Sequence, residues 1–500
     1  MRRNDKKAGS KGILLGILFI VTMVVTFLSM GLETVIPSAT TMTEATLPVV
    51  AMLTGDGTEF NSLHGYTVAI NQALMNDTLT PVPQNRKQDI VMKKIEGGVT
   101  AAKGFFAAGL EVGIKAGHTG KKDMAMVYSD VPCKVAGTFT SNVVKAAPVK
   151  YDQNVVDNSP FVQAVVVNSG VANACTGKEG MDNCEALAKK AGEQLNIPQE
   201  SVLIGSTGVI GAQLPMDKML HGVELLTKEL GSEKKYGTLA AEAIMTTDTV
   251  SKEIAYETEI GGKTVTIGGM CKGSGMIHPN MCTMLAFITT DVNISKEMLT
   301  EIVKADVKDT FNMISVDGDT STNDTMLVIA NGKAGNPEIT ERNEDYYEFA
   351  NVLRKINTYL AKKMAGDGEG ATALFEVTVE NADTKENAVT LAKSVVTSSL
   401  VKCAICGHDA NWGRILCALG YSGVQFDPEK VDIFFESAAG KIKIVENSVS
   451  TGYSEEEATK ILSEEEVTAR IDMKMGTQTA TAWGCDLTHE YVSINADYRS

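Results

Sequence analysis

The sequence lacks the features that mark nucleic-acid-binding proteins and nucleotide-binding enzymes. It holds 46 lysines and arginines against 62 aspartates and glutamates, a net charge of −16, whereas non-specific nucleic-acid binding needs a basic surface. No Walker A sequence occurs. The glycines at 205, 208 and 211 are three apart, which differs from the dinucleotide fingerprint. We therefore expect no nucleic-acid partner and no phosphate-binding loop.

Cysteines and histidines are also too few and too scattered for a disulfide framework or a metal site. The nine cysteines are odd in number and form no compact group, which is typical of a reducing compartment. Cys403 and Cys406 have the spacing of half a zinc site or a redox motif, but no second pair completes it. We expect buried structural thiols there. The six histidines define no ligand set, so the sequence predicts no metal.

One long apolar run sets the N-terminal segment apart. Residues 12–32 carry no charge and follow a basic flank, which predicts a transmembrane helix with its N-terminus in the cytoplasm. Residues 33–91 are rich in turn signals and end in a linker. A new pattern begins near Met92. We interpret residues 1–91 as an N-terminal appendage, either a fusion or a mis-set start.

The rest of the chain has the pattern of an α/β fold. Length and a hydrophobic content of 44% suit a globular protein of two to four domains. Strands and amphipathic helices alternate from residue 92 onwards. The predicted strands include 125–128, 161–168, 202–205, 284–290, 326–330 and 374–379, and the helices include 183–195, 217–230, 239–245, 296–312, 343–363 and 385–398. Residues 254–267 predict a hairpin turning at Gly261 and Gly262, and the strand-rich residues from about 400 to 500 predict a smaller C-terminal subdomain.

Residues 272–291 combine a loop rich in Gly, Ser and Pro with an apolar strand. Thr283 stands at the border between them. A β-branched residue suits the start of a strand, so position alone favours a structural role for this threonine. Its neighbours along the chain change that interpretation.

Nine stretches between residue 104 and the C-terminus carry a family resemblance when they are taken together and in order. They are GFFAAGLEVGIK (104–115), TFTSNVVKAAPV (138–149), VVNSGVANACTG (166–177), GSTGVIG (205–211), AIMTTDTVSKE (243–253), KGSGMIHPNMCTMLAFITTD (272–291), GDGEGATALFEV (366–377), NWGRI (411–415) and INADYRS (494–500). Together they resemble the ornithine acetyltransferase family, the bifunctional glutamate N-acetyltransferases of arginine biosynthesis. The resemblance covers about Met92 to Ser500, and residues 1–91 lie outside it.

The resemblance implies a layered α/β sandwich of the ornithine acetyltransferase type that cleaves itself between Cys282 and Thr283. The products would be an α chain (92–282) and a β chain (283–500). Thr283 would then be the nucleophile. A neutral hydroxyl is a poor nucleophile and needs a base nearby. The amine freed by the cut supplies one, with an ordinary pKa of about 7.7–8.0. The implied reaction is ping-pong transfer of an acetyl group from N2-acetylornithine to glutamate.

The resemblance also carries over an oxyanion hole at Thr207 and Gly208. The substrate contacts that it implies are Thr246, Lys272, Thr283, Glu369, Asn495 and Ser500. The structural alternatives are a turn glycine for Gly208, a helix end for Thr246, a surface charge for Lys272, a polar turn for Glu369 and frayed chain ends for Asn495 and Ser500. The substrates supply a chemical logic for two of them, because Lys272 suits an α-carboxylate and Glu369 suits the ammonium of ornithine.

Two positions depart from the family pattern. The residue before the cut is commonly alanine in the family and is Cys282 here, and His278 stands where a smaller residue is expected. We expect cleavage to survive at Cys282, which is still small, and we interpret His278 as a loop histidine near the site rather than as a general base. The resemblance implies two α and two β chains, small-molecule substrates and a cytoplasmic location, with membrane contact only through residues 12–32. No cofactor is implied, and acetyl-CoA stays open as a second acetyl donor. The alternatives are an N-terminal-nucleophile amidohydrolase or aminopeptidase, and a membrane-anchored binding protein.

Overall fold

Two β-sheets and the helices packed on them make up the part of the chain that the computed structural model describes, residues 92–115, 120–278 and 284–497. Strands and helices alternate through most of this part. The predicted α/β class is therefore confirmed. The predicted transmembrane segment at 12–32 and the rest of the appendage to residue 91 lie outside the described residues.

The strands belong to a nine-stranded and a seven-stranded sheet. In chain order they are β1 (Lys93–Ile95), β2 (Phe105–Leu110), β3 (Met124–Phe139), β4 (Val162–Val171), β5 (Val202–Val209), β6 (Lys252–Ile260), β7 (Lys263–Lys272), β8 (Leu285–Thr290), β9 (Ile314–Ser315), β10 (Thr325–Ala330), β11 (Leu374–Ala382), β12 (Asp432–Ser437), β13 (Gly440–Glu446), β14 (Val449–Ser450), β15 (Glu466–Asp472) and β16 (Gln478–Cys485).

The α-helices lie between these strands in sequence. They are α1 (Ala147–Asn158), α2 (Gly177–Leu195), α3 (Met216–Lys228), α4 (Lys234–Ala243), α5 (Lys296–Asp309), α6 (Glu344–Gly366), α7 (Lys385–Val396), α8 (Ser399–Cys406), α9 (Trp412–Gly420), α10 (Glu455–Leu462) and α11 (His489–Ala496).

Several helices begin where the sequence supplies a capping side chain. A Ser, Thr or Asn oxygen just before each of these helices accepts a hydrogen bond from a backbone N–H in the first turn, which would otherwise lack a partner. The capping residues are Ser295 for α5, Asn343 for α6, Thr384 for α7, Ser398 for α8 and Ser454 for α10.

The larger sheet has the order β1-β6-β7-β8-β10-β3-β4-β5, and β2 pairs with β3 beside this path. The long strand β3 joins its two halves, because its first part pairs with β2 and β4 and its last part with β10. Strands β4 and β5 run parallel. Both are buried over most of their length, which explains the apolar run at residues 164–167 of β4.

The smaller sheet has the order β14-β13-β12-β15-β11-β16-β9. The strand-rich region predicted after residue 400 supplies β12 to β16, but β9 and β11 come from before it. Helix α6 packs against β6 and β7 of the larger sheet and β16 of the smaller one. One 23-residue helix therefore connects the two sheets.

The predicted hairpin at Gly261 and Gly262 is present, and both glycines have positive φ. Among the described residues no single helix meets the length and hydropathy required to cross a membrane, although α7 and α8, bent by 57°, meet it as a pair. Cys403 is exposed and Cys406 half-buried. The expectation of buried thiols there was wrong, because the short helix α8 turns both away from the core.

Candidate functional site

The parallel strands β4 and β5 approach each other closely at their carboxyl ends. Gly208 has φ +131°, and a Cβ at this position would lie 2.2 Å from the carbonyl carbon of Gly170. Real Cβ atoms do not approach a backbone so closely, and this φ is also strained for other residues. Only glycine fits at 208, and the backbone next to Thr207 is held against β4.

Lys272 brings a cation to this strand end. It is the last residue of β7 and only 7% exposed. Its Nζ donates to Thr207 Oγ1 over 3.4 Å, a long hydrogen bond. Its backbone is paired with Leu285, the first residue of β8. The predicted oxyanion residue, the predicted carboxylate-binding lysine and the start of β8 therefore lie together.

Asp248, a residue that sequence reasoning did not select, joins the backbone after this lysine to the backbone at Thr246. Its carboxylate accepts from Thr246 N at 3.0 Å and from Gly273 N at 2.7 Å, and from Lys252 Nζ at 2.7 Å. Burial alone would raise the pKa of Asp248, but the charges of Lys252 and Lys272 and these hydrogen bonds outweigh burial and lower it to about 2. A permanent negative charge therefore lies beneath the site.

A second carboxylate extends this network toward Glu369. Lys252 Nζ lies 2.5 Å from Asp367 Oδ2, and the lysine side chain is fully buried. Burial lowers the pKa of Lys252, but Asp248 and Asp367 together raise it above its ordinary value. Ser274 Oγ donates to Asp367 O at 2.7 Å, and Glu369 N donates to Ser274 O at 2.9 Å. The loop after Lys272 and the loop bearing Glu369 are thus joined.

The last helix of the chain is tied to Glu369. Asn495 Nδ2 donates to Glu369 Oε2 at 2.7 Å and to Tyr491 O at 3.0 Å. Thr488 Oγ1 donates to Gly370 O at 2.7 Å. Helix α11 has no buried residue of its own, so these polar contacts hold it. Asn495, a predicted contact close to the chain end, therefore lies beside Glu369.

Asp317 anchors the loop that leads toward the predicted cut. Its carboxylate accepts from Met276 N at 2.6 Å and Ile277 N at 2.9 Å, and Tyr491 OH donates to it at 3.3 Å. His278 follows Ile277 in the chain, and its Nδ1 lies 3.2 Å from Ser315 Oγ. Burial, and then the charge of Lys393, lower the pKa of His278 against the opposing effect of Asp317. Burial and Lys393 therefore favour the neutral imidazole.

Lys115 is a further cation that sequence reasoning did not select. Its Nζ donates to Met245 O at 2.8 Å, next to Thr246. Burial, reinforced by the like charges of Lys121 and Lys272, lowers its pKa to about 8 against the attraction of Asp123 and Asp248. The sequence offered one signal for a functional role of Lys115, which is the last residue of the family-like stretch at 104–115.

The structure thus gathers the predicted residues into two linked groups. Lys272 contacts Thr207, next to Gly208 in β5, and Thr246 is joined to the residue after Lys272 through Asp248, while Glu369 lies with Asn495. The predicted cleavage residues Cys282 and Thr283, and the predicted contact Ser500, lie outside the described residues, and their roles stay predictions. In the described ranges no group of three His, Cys, Asp or Glu residues is arranged to hold a metal.

Comparison with known proteins agrees with this reading. The ArgJ family model matches residues 106–500. The arginine biosynthesis bifunctional protein ArgJ of Thermotoga neapolitana is 51% identical over 399 residues, covering 80% of this chain and 99% of that protein. Its Listeria monocytogenes counterpart is 46% identical over 409 residues, covering 82% and 100%. The crystal structure of the Bacillus halodurans protein is 43% identical, with a TM-score of 0.36, and covers 38% of this chain and 99% of that chain.

These matches define the class as an acetyltransferase of arginine biosynthesis that acts on small-molecule substrates. The chain belongs to the ArgJ family. The resemblance to ornithine acetyltransferases noted in the sequence is confirmed, and an enzyme is favoured over a membrane-anchored binding protein.

Proposed function

We propose that the chain cleaves itself between Cys282 and Thr283 and then moves an acetyl group from N2-acetylornithine to glutamate through an acetyl ester on Thr283. One observation carries this proposal. Lys272 Nζ contacts Thr207 Oγ1, while the Lys272 backbone pairs with Leu285, two residues after Thr283. The pairing ties the start of β8 to β7, and the side chain of Lys272 at the end of β7 contacts Thr207.

The first half-reaction forms the enzyme ester. The Thr283 hydroxyl attacks the acetyl carbonyl of N2-acetylornithine, and its proton passes to the α-amine of the same residue. The developing oxyanion takes hydrogen bonds from Thr207 and the Gly208 N–H, which need no reorganisation because Gly208 is packed against Gly170. The C–N bond then breaks, and the amine returns the proton to the leaving nitrogen, which departs as ornithine.

The second half-reaction restores the enzyme. The amine of glutamate attacks the ester carbonyl, a second oxyanion forms in the same hole, and the C–O bond to Thr283 breaks. The proton lost by glutamate's amine returns to the Thr283 oxygen through the α-amine. Lys272 is the proposed partner of the substrate α-carboxylate, with Thr246 beside it, and Glu369 and Asn495 are the proposed partners of the ornithine ammonium.

Three further assignments belong to this proposal. The α and β chains remain together as two of each, Ser500 contributes to the ornithine-binding end, and the enzyme works in the cytoplasm. Both relatives described above are named bifunctional. We propose acetyl-CoA as the second acetyl donor to test, and no other cofactor.

A denaturing gel with N-terminal sequencing tests the cleavage. Wild-type protein is expected to give two fragments, one of which begins at Thr283, and Thr283→Ala is expected to stay uncut. A single chain in fully active protein contradicts the proposal. Cys282→Ala is the matched variant, because it changes the other side of the cut and should preserve both cleavage and transfer.

An isotope-transfer assay tests the chemistry. Acetyl-labelled N2-acetylornithine is incubated with glutamate, and the label is expected in N-acetylglutamate. Release of the label only as free acetate would instead identify an amidohydrolase.

A further inference from the structure

Residues just before β10 lie alongside the start of β8. The two strands are parallel, with Thr325 opposite Leu285. Thr325 N donates to Met284 O at 2.7 Å, and the N–H of Met284 bonds the side chain of Asp324. The preceding residue, Asn323, is therefore held next to the segment in which β8 begins.

Asn323 reaches from there to the carboxyl ends of β4 and β5. Its Nδ2 donates to Ala172 O at 2.6 Å and to Ser206 O at 2.8 Å. Its Oδ1 accepts from Thr322 Oγ1 at 2.6 Å, which fixes the orientation of the amide. The residue is only 6% exposed. One side chain thus links the segment just before β10 to the residue just after β4 and to Ser206 of β5.

The contact with Ser206 bears directly on the oxyanion residues. A peptide unit is planar, so the carbonyl of Ser206 and the N–H of Thr207 move as one rigid group. A hydrogen bond that fixes the Ser206 carbonyl therefore also fixes the position of the Thr207 backbone nitrogen. The contact with Ala172 fixes the residue after β4. Ala172 N in turn donates to Val209 O, at the end of β5, at 2.9 Å. Thr207 and Gly208 are thus flanked on both sides by backbone that Asn323 holds.

We propose that Asn323 is a positioning residue for acetyl transfer, whose amide fixes the Ser206–Thr207 peptide, and with it the oxyanion-hole residues, relative to the start of β8. This inference rests on the function proposed above. Asn323 does not contact the substrate, and it acts through the geometry of Thr207 and Gly208. Oxyanion donors are effective only when they are preorganised within a fraction of an ångström.

The chain offers a closely matched control in Asn336. Its Nδ2 also donates to two backbone carbonyls, Asn293 O at 3.1 Å and Pro337 O at 2.7 Å, and its Oδ1 also accepts one hydrogen bond. It is 3% exposed and lies outside the group of proposed site residues. Asn323→Ala and Asn336→Ala therefore remove the same kind of contacts.

Steady-state transfer from N2-acetylornithine to glutamate is measured per cleaved enzyme, together with the melting temperature. We expect Asn323→Ala to lower kcat by about 10–100-fold, with KM values within about threefold of wild type, because a misplaced oxyanion hole affects the transition state rather than binding. Asn336→Ala should lower the melting temperature similarly and leave kcat within about twofold. Equal kcat values for the two variants, or a rise in KM alone, overturn the inference.

Thr322→Val provides a gentler variant if Asn323→Ala does not fold. It is nearly isosteric and removes only the donor that orients the Asn323 amide, so kcat should fall by about 3–10-fold in folded protein. An unchanged kcat overturns the inference. Failure of the proposed function is separate from these outcomes, because wild-type protein would then move no acetyl group from N2-acetylornithine to glutamate.

Discussion

Substitution of Asp248 by asparagine should destabilise the protein strongly. Asp248 and Lys252 have fully buried side chains 2.7 Å apart. The substitution leaves Asp367 as the remaining charged partner of Lys252. It also places an amide N–H₂ opposite one of the two backbone N–H groups, Thr246 or Gly273, that donate to the carboxylate. Removing one partner of a buried ion pair typically costs about 3–5 kcal/mol.

The dependence on pH follows from the lowered pKa of Asp248. Its value falls from 3.8 to about 2 on folding, and one pH unit of difference corresponds to about 1.4 kcal/mol, so ionisation contributes roughly 2–3 kcal/mol. Because the pKa is depressed, this stabilisation is fully present above pH 3.8. It is lost as the pH falls toward 2. The difference in stability between wild type and variant should therefore shrink in acid.

Urea unfolding followed by circular dichroism measures both effects. The variants are best made in the Thr283→Ala background, where an uncut chain is expected and unfolding involves one molecule. Asp182→Asn is the control, because it breaks the exposed Lys178–Asp182 pair and should barely move the midpoint. Equal midpoints for the two variants at pH 7, or a difference that does not shrink below pH 3.8, would refute the reasoning.

Three further predictions concern transfer activity. Gly208→Ala should reduce kcat by about 100-fold or more, since the added methyl displaces an oxyanion donor. Gly211 also has positive φ, but a Cβ there would meet open space, so Gly211→Ala should keep transfer. Equal activities of the two variants would contradict this prediction. Glu369→Gln should raise KM for N2-acetylornithine by about 10–100-fold, as expected for a hydrogen bond to a charged group, without raising KM for glutamate. Asn495→Ala should raise the same KM less, and Ser493→Ala on the same helix should not; steady-state kinetics with each substrate varied decides both.

Patterns local in sequence were the ones that could be predicted. The hairpin at Gly261 and Gly262 follows from two residues that tolerate positive φ between apolar strands. The strand predicted at 284–290 differs from β8 by one residue at its start. Such features depend on neighbours within a few positions, and the resemblance to known acetyltransferases added candidate residues that local patterns could not rank.

Contacts between distant segments could not be predicted. Asp248 in isolation is one acidic residue among 62 acidic ones. Its importance comes from Gly273 N and from a lysine that bridges to Asp367, more than 100 positions away. The same holds for Asn495, whose partner Glu369 is 126 positions distant. Burial and pairing of this kind are properties of the folded chain, so only a structure or a family resemblance reveals them.

The strand order β7-β8-β10-β3 would govern the lifetime of the enzyme after the proposed cleavage. Strands β7 and β3 precede residue 283, and β8 and β10 follow it. A cut after residue 282 leaves two strands of one fragment enclosed between strands of the other. Separated fragments would expose long unpaired edges, which favour aggregation over reassembly. An enzyme cleaved in this way would fold once as a single chain, and its lifetime would then depend on how slowly the cleaved form unfolds.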